Sequence, residues 1–324
     1  MISIKTRFKD FKDSLESINW LMLKFKKVSP FPQKKVLVLE GGGMRGIFLT
    51  GVMQAFTDRG YFPWKLIIGS SAGALTGTAY AAGQIHLARD AFFTELLTGN
   101  FIRISNIVRP EQHILNLDWM IDTIIKGDEP LNLRRLKNSC PVLITATHCR
   151  ENHPPETIYL NSKEDSVPTA LKATAAIPFL YRNFVKYKHY KFLDGALLDP
   201  IPYKKALEMG FKEKEILVIT TRQKGYRKKE ESFWIKNLYE AYYKDPKHQF
   251  LLKALNRFRQ YNKLRDDLER KNSKIDVIYP PKDFRVNRLT QDGEKILEGF
   301  GQGIKAAKEW LFKDKIKKKK KKRS

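Results

Sequence analysis

Apolar residues along this chain follow two rhythms. Unbroken runs of strand length stand at Val36-Leu37-Val38-Leu39, Leu66-Ile67-Ile68, Val142-Leu143-Ile144-Thr145-Ala146-Thr147 and Ile216-Leu217-Val218-Ile219-Thr220, as expected of strands buried on both faces. Shorter candidates are Thr157-Ile158-Tyr159-Leu160, Tyr190-Lys191-Phe192-Leu193 and Ile275-Asp276-Val277-Ile278-Tyr279. Between them, helical character covers residues 72–82, 86–97, 117–126, 169–176 behind Val167-Pro168, and 290–312. A further helix opens at Asp199-Pro200-Ile201-Pro202, and one or two more cover 232–270. Strands alternating with helices predict one large α/β domain with parallel strands, and 324 residues suffice for its core.

Ahead of this pattern, Ile4, Phe8, Phe11, Leu15, Ile18, Met22 and Phe25 are spaced alternately four and three apart, with lysines and acids between. The stripe predicts an amphipathic helix within residues 1–32, packed on the body of the protein or lying in the plane of a membrane.

Two glycine turns carry the candidate chemistry. Each follows an apolar run and precedes a helix, the arrangement that leaves backbone N–H groups free for an anion. The second turn, Gly69-Ser70-Ser71-Ala72-Gly73, fits G-x-S-x-G, with Gly69, Ser71 and Gly73 at the fixed positions. A sharp strand-to-helix turn of this kind projects the central Ser71 hydroxyl at a helix N-terminus; Ser70 is the adjacent alternative. The first turn, Gly41 to Gly46 in the run GGGMRG, satisfies G-x-G-x-x-G through Gly41, Gly43 and Gly46. A dinucleotide site would want an acid at the end of the second strand, where this chain has Gly69-Ser70-Ser71, and no Gly-Lys-Ser/Thr closes a Walker A loop. Donors for an oxyanion are the better use of these N–H groups, each worth about 3 kcal/mol to a transition state. Arg45 adds a positive charge there or pairs with a local acid.

A serine nucleophile needs a base. The histidines are His86, His113, His148, His153, His189 and His248. In the chain order of α/β-hydrolases only His248 could follow an acid such as Asp194, and it lies in a basic stretch without motif character. Asp194 ends a short strand before Gly195 and Ala196, where it could reach the carboxyl edge of the sheet or simply cap a turn.

EGGGMRG, GSSAG and DGA, in that order, resemble the patatin-like phospholipase family, notably its bacterial branch. ALKATAAIPFLY, FLDGALLDPIP and VITTR add to the likeness, which covers residues 35–225 well and echoes to about 310. The resemblance implies a three-layer α/β/α sandwich with a mostly parallel central sheet. It also implies a Ser–Asp dyad without histidine: Ser71 as nucleophile, Asp194 as proton acceptor, and Gly42, Gly43, Met44 and Arg45 as the oxyanion hole, with neither cofactor nor metal. The third motif, Asp194-Gly195-Ala196, ends in alanine where many members carry glycine, a variation the family accepts. A free aspartate, with a pKa near 3.9, is a weak base for a hydroxyl, and burial in a lipid pocket is expected to raise it. The expected organisation is an N-terminal helix over 1–32, a catalytic domain over 33–225, a helical extension with one strand over 226–312 packed on that domain, and a basic tail over 313–324.

Charge and cysteine content narrow the setting. The net charge is +26, and the tail KDKIKKKKKKRS holds nine basic residues against one acid. Such a tail is a solvated segment at rest and is attracted to anionic bilayers or, by counterion release, to nucleic acid. Cys140 and Cys149 make no disulfide framework or metal spacing. These features favour a cytoplasmic protein acting on lipid esters, peripheral at the inner membrane face through its first helix and tail, with no specific nucleic-acid partner. The competing readings are a basic membrane- or nucleic-acid-binding protein with a degenerate site, and a thioesterase or acyltransferase on the same dyad.

Overall fold

The computed structural model describes residues 31–109, 111–150, 153–230 and 257–313. The expected N-terminal helix, the 232–256 part of the expected later helices, with His248, and the tail beyond Lys313 lie outside the described residues. In chain order the elements are β1 (Val36–Leu39), α1 (Gly46–Thr57), β2 (Leu66–Gly69), α2 (Ala72–Ala81), α3 (Ile85–Phe93), α4 (Leu117–Lys126), α5 (Leu133–Asn138), β3 (Val142–His148), β4 (Glu156–Asn161), α6 (Val167–Ala175), β5 (Val185–Tyr187), β6 (Tyr190–Asp194), α7 (Tyr203–Glu208), β7 (Ile216–Ile219), α8 (Arg257–Glu269), β8 (Asp276–Ile278) and α9 (Gly293–Leu311).

The strands form one mixed sheet in the order β5-β6-β3-β2-β1-β7-β8, with β4 also on β3. The pairings β1–β2, β1–β7, β2–β3 and β7–β8 are parallel. Those of β3 with β4 and β6, and of β5 with β6, are antiparallel. Successive residues of a strand face opposite sides of the sheet. Leu37, Leu39, Ile67 and Ile144 accordingly join a core with α1, α2, α6 and α9, while Val36, Val38, Ile68 and Leu143 join a second core with α7 and α8. Both faces are covered, giving the three layers expected.

The register of β3 places the candidate residues. One edge of β3 is occupied by β4 along residues 143–148. The other edge is shared: β2 pairs with residues 142–144, and β6 takes over at 146–148. Gly69 lies opposite Ile144 and Asp194 lies opposite Ala146. The end of β6 therefore abuts the end of β2, two residues further up the sheet, which is the level Ser71 reaches.

The C-terminal segment is built into the same sheet. Its strand β8 extends the sheet beside β7, and α9 crosses α1 at Gly51 and Gly303. A Cβ on Gly51 would stand 2.1 Å from the Phe300 carbonyl oxygen, and one on Gly303 would stand 2.3 Å from that of Phe48. Only glycine lets the two backbones approach so closely.

Several elements differ from the sequence expectation for local reasons. The helix expected over 86–97 ends at Phe93 and resumes as a 3₁₀ turn, Glu95–Leu97. The helix expected to open at Asp199 begins at Tyr203, with Pro202 as its N-cap. β5 is three residues with an exposed Lys186 between its neighbours, and α5 is six residues capped by Asn132, both too short for a period to register. No helix among the described residues is long and apolar enough to cross a membrane.

Candidate active site

Ser71 stands at the N-cap of α2 with φ 52° and ψ −128°, a conformation side-chain-bearing residues avoid and one that marks a turn held under strain. Close packing enforces it. A Cβ on Gly73 would lie 2.4 Å from the Leu39 carbonyl oxygen, so α2 starts pressed against the end of β1. The Ser71 N–H donates to Thr174 Oγ1 of α6 at 2.8 Å, and its carbonyl accepts from the Ala74 and Leu75 N–H groups. Ser71 Oγ donates to Asp194 Oδ2 at 2.8 Å.

Asp194 is 3% exposed and is oriented by the backbone around it. Its N–H donates to the Ala176 carbonyl at 2.9 Å, and its own carbonyl accepts from Thr147 Oγ1 at 2.8 Å. The carboxylate oxygen turned away from Ser71 accepts from the Ala196 N–H at 2.7 Å. The capping role left open for this residue and the reach to serine are thus both present, one on each oxygen. Ser70, the alternative nucleophile, is fully buried with an unpartnered hydroxyl, whereas Ser71 lines both neighbouring cavities. Among the described histidines none is bonded to Ser71 or Asp194. His86 and His148 face Glu129 and Glu156, and His113 accepts from the Arg182 N–H.

The first glycine turn lies beside this pair. Gly41 gives its N–H to the Pro200 carbonyl at 3.2 Å, and Met44 gives its N–H to the Arg288 carbonyl at 3.1 Å. Gly42 and Gly43, which line the cavity next to Ser71, donate to no acceptor among the described residues. Of the four candidate oxyanion residues, these two offer open N–H groups. Beneath the turn Glu40 is buried, accepting from the Thr221 N–H at 2.5 Å and from the Tyr261 hydroxyl at 2.8 Å.

Arg45 pairs with no described acid. It is 4% exposed, and its Nε is buried without a hydrogen-bond partner. Burial, reinforced by the neighbouring Arg222 and Arg288 guanidiniums and opposed by Glu40, pushes it down to about 9. A guanidinium buried like that of Arg45, with no described acid paired to it, is costly.

Two cavities meet at Ser71. The larger, about 440 Å³, is walled by Leu75, Leu87, Phe92, Leu117, Met120 and Leu171 among other apolar side chains, and its volume falls in the range of ligand pockets. The smaller, about 60 Å³, holds Arg45, Arg222, Lys228 and Arg288 against Glu40 and Asp194. Ser71, Gly43, Ile177 and Arg288 belong to both. Sequence reasoning passed over Arg222, Arg288, Glu40 and Thr174. Arg222 ends VITTR and Glu40 opens EGGGMRG, but no spacing rule assigned either, and Arg288 had no local signal.

The chain is similar to several known proteins. The chain is 29% identical over 260 residues to the uncharacterized protein YjjU of Escherichia coli (strain K12), an alignment covering 78% of this chain and 70% of YjjU. The crystal structure of VipD from Legionella pneumophila aligns with a TM-score of 0.47 at 15% identity, over 91% of this chain and 72% of VipD. The type III effector ExoU of Pseudomonas aeruginosa aligns with a TM-score of 0.41 at 14% identity, over 87% of this chain and 53% of the other, so this chain spans about half of that structure. The family model described as patatin-like phospholipase matches residues 37–207, from β1 through both glycine turns and Asp194 into α7. Matched over more than half its length, the chain belongs to the patatin-like phospholipase family.

Proposed function

We propose that this chain is a serine carboxyl-ester hydrolase that releases fatty acid from phospholipids or acylglycerols. The observation that carries the reading is the 2.8 Å bond from Ser71 Oγ to Asp194 Oδ2, placed where the apolar cavity meets the basic one. The acyl chain occupies the apolar cavity, which sets its ester carbonyl at Ser71. As Oγ attacks, its proton passes to Asp194 Oδ2, and the developing oxyanion is held by the Gly42 and Gly43 N–H groups. Collapse expels the alcohol, which takes the proton from Asp194 and leaves an acyl-serine. A water then gives its proton to Asp194 and attacks the acyl carbon, and the second collapse returns that proton to Ser71. No third residue is needed to orient the base, because the Ala196 N–H already fixes the carboxylate.

A lipid interface as the place of work is supported by the loop beyond Phe101 and Ile102, which line the apolar cavity. There Ile104, Ile107 and Val108 are 54%, 64% and 80% exposed. Arg182 holds this loop by donating to the carbonyls of Asn106, Ile107 and Arg109. Exposed branched side chains on a braced loop suit insertion among lipid headgroups.

The test is hydrolysis of phospholipids, diacylglycerols and thioesters by wild type and Ser71→Ala, with labelling by a fluorophosphonate. Wild type should label at one serine and release fatty acid, and Ser71→Ala should do neither. Full esterase activity in Ser71→Ala would sink the reading, and thioester turnover alone would move it to a thioesterase.

A further inference from the structure

We infer that Thr221 is a positioning residue of the oxyanion site: its buried hydroxyl holds the Gly41 carbonyl and so aims the Gly42 N–H at the cavity beside Ser71. This deepens the hydrolase reading above and rests on it for the oxyanion. Thr221, and the Tyr261 and Arg265 side chains that brace it, lie beyond residues 37–207, which the family model matches.

The first support is the freedom of the turn. Gly41-Gly42-Gly43 is a run of three glycines, each able to adopt backbone angles closed to other residues. The peptide joining Gly41 to Gly42 could therefore turn over at little steric cost of its own. A planar trans peptide carries its C=O and N–H on opposite edges, and no peptide bond among the described residues is cis. Whatever holds the Gly41 oxygen thus sets where the Gly42 N–H points. Turned over, the same peptide would show the oxyanion a carbonyl oxygen, a repulsive partner in place of a donor.

The second support is the contact itself. Thr221 Oγ1 donates to the Gly41 carbonyl at 3.1 Å. A Cβ on Gly42 would lie 2.7 Å from the same Oγ1, so the hydroxyl and the peptide are pressed together. Gly42 lines the cavity beside Ser71, whereas Thr221 is fully buried and does not line it. The hydroxyl therefore stands behind the peptide, away from the space for substrate, and acts only through it.

The third support is the bracing of Thr221. Its N–H donates to Glu40 Oε2 at 2.5 Å, and the other oxygen of that carboxylate accepts from the Tyr261 hydroxyl at 2.8 Å. The residues on either side are tied down as well. The Thr220 N–H donates to the Ile278 carbonyl of β8 at 3.0 Å. Arg265 of α8, fully buried, donates to the carbonyls of Arg222 and Gln223 at 3.4 and 2.6 Å. The stretch after β7 is thereby fastened to the end of β1, to β8 and to α8. A hydroxyl carried on such a support keeps one orientation, which is what a preorganised donor behind it needs.

The experiment compares wild type with Thr221→Val, Thr221→Ala and Thr221→Ser on p-nitrophenyl butyrate and on the inhibitor 1,1,1-trifluorodecan-2-one. Ser71 Oγ adds to the ketone carbon, its proton passes to Asp194, and the carbonyl electron pair becomes the oxyanion. In Thr221→Val and Thr221→Ala kcat should fall about thirtyfold with KM nearly unchanged, less than the hundredfold or more that loss of an oxyanion donor costs. The inhibition constant of the trifluoroketone should weaken in the same proportion, while that of decan-2-one, which stays a neutral ketone, holds level. Thr221→Ser, which restores the hydroxyl, should recover most of the wild-type kcat. An unchanged kcat without the hydroxyl overturns the proposal, as does a loss confined to KM or a loss as large in Thr221→Ser. If Thr221→Val does not fold, Thr221→Ala, which sets no methyl against the Gly41 oxygen, decides by the same criteria. In 15N-glycine-labelled protein the residual dipolar coupling of the Gly42 N–H reads its direction. It should change in the hydroxyl-free variants and return in Thr221→Ser; a coupling that does not change overturns the proposal. A wild type that neither labels with a fluorophosphonate nor cleaves the ester defeats the hydrolase reading, and the Gly42 coupling then decides the positioning role alone, by the same two outcomes.

Discussion

On one side of Ser71 the walls are leucine, phenylalanine and methionine around about 440 Å³; on the other, three arginines and a lysine surround about 60 Å³. The apolar cavity is made by regular elements, α2, α3, α4 and α6, packed on one face of the sheet. The basic cavity is made by chain between elements: the turn after β1, the stretch after β7 and the segment ahead of α9. Helices can offer a long apolar trough, because side chains three and four apart share a face. Converging charges require several distant segments to meet at one point. On the proposed function an amphiphilic ester would use both, and Ser71 lies where the two cavities meet.

The comparison can be broken or sharpened by variants on each side. The largest effect belongs to the residue serving both. Asp194→Asn keeps the shape of the carboxylate but removes the proton acceptor, so kcat should fall about a thousandfold on phospholipid and neutral ester alike; steady-state rates retaining a tenth of wild type would exclude Asp194 as the base. Next comes a change confined to the apolar side. Ala79 lines that cavity and is buried, and Ala79→Phe should shorten the space for an acyl chain. The ratio of kcat/KM for p-nitrophenyl palmitate over p-nitrophenyl butyrate is expected to fall about tenfold; the same ratio in wild type and variant would place the chain elsewhere. The smallest effect concerns approach to the lipid. Replacing Ile107 and Val108 by serine should weaken binding to phospholipid vesicles a few-fold, since only a small part of each exposed side chain would leave water, and slow hydrolysis of vesicle lipid with it. Sedimentation with vesicles measures the first, and binding that does not change would remove this loop from the interface.

Legibility in the sequence followed the range of the interaction. Ser71 was readable because its signal is local: an apolar run, a glycine, small neighbours and a helix lie within residues 66–82. The β1–β2 adjacency was readable for the same reason, since consecutive parallel strands joined by a helix pack side by side. Asp194 could be named through the ordered motifs, but the reason it meets Ser71 could not. That depends on β6 running antiparallel along the edge of β3 beyond the end of β2, and strand direction leaves little trace in a short run such as YKFLD. The basic cavity was the least legible. Arg222 and Arg288 reach Arg45 only through the placing of β7 and the segment ahead of α9, and single arginines in a chain this basic carry no signal of their own.

The twisted backbone at Ser71 sets stability against activity at a single codon. A left-handed serine costs about 1–3 kcal/mol that a glycine there would recover. On the proposed function, selection for heat tolerance alone would favour Ser71→Gly and deliver a sturdier, inert protein. Retention of serine at this site under thermal selection would therefore report that activity itself is being selected.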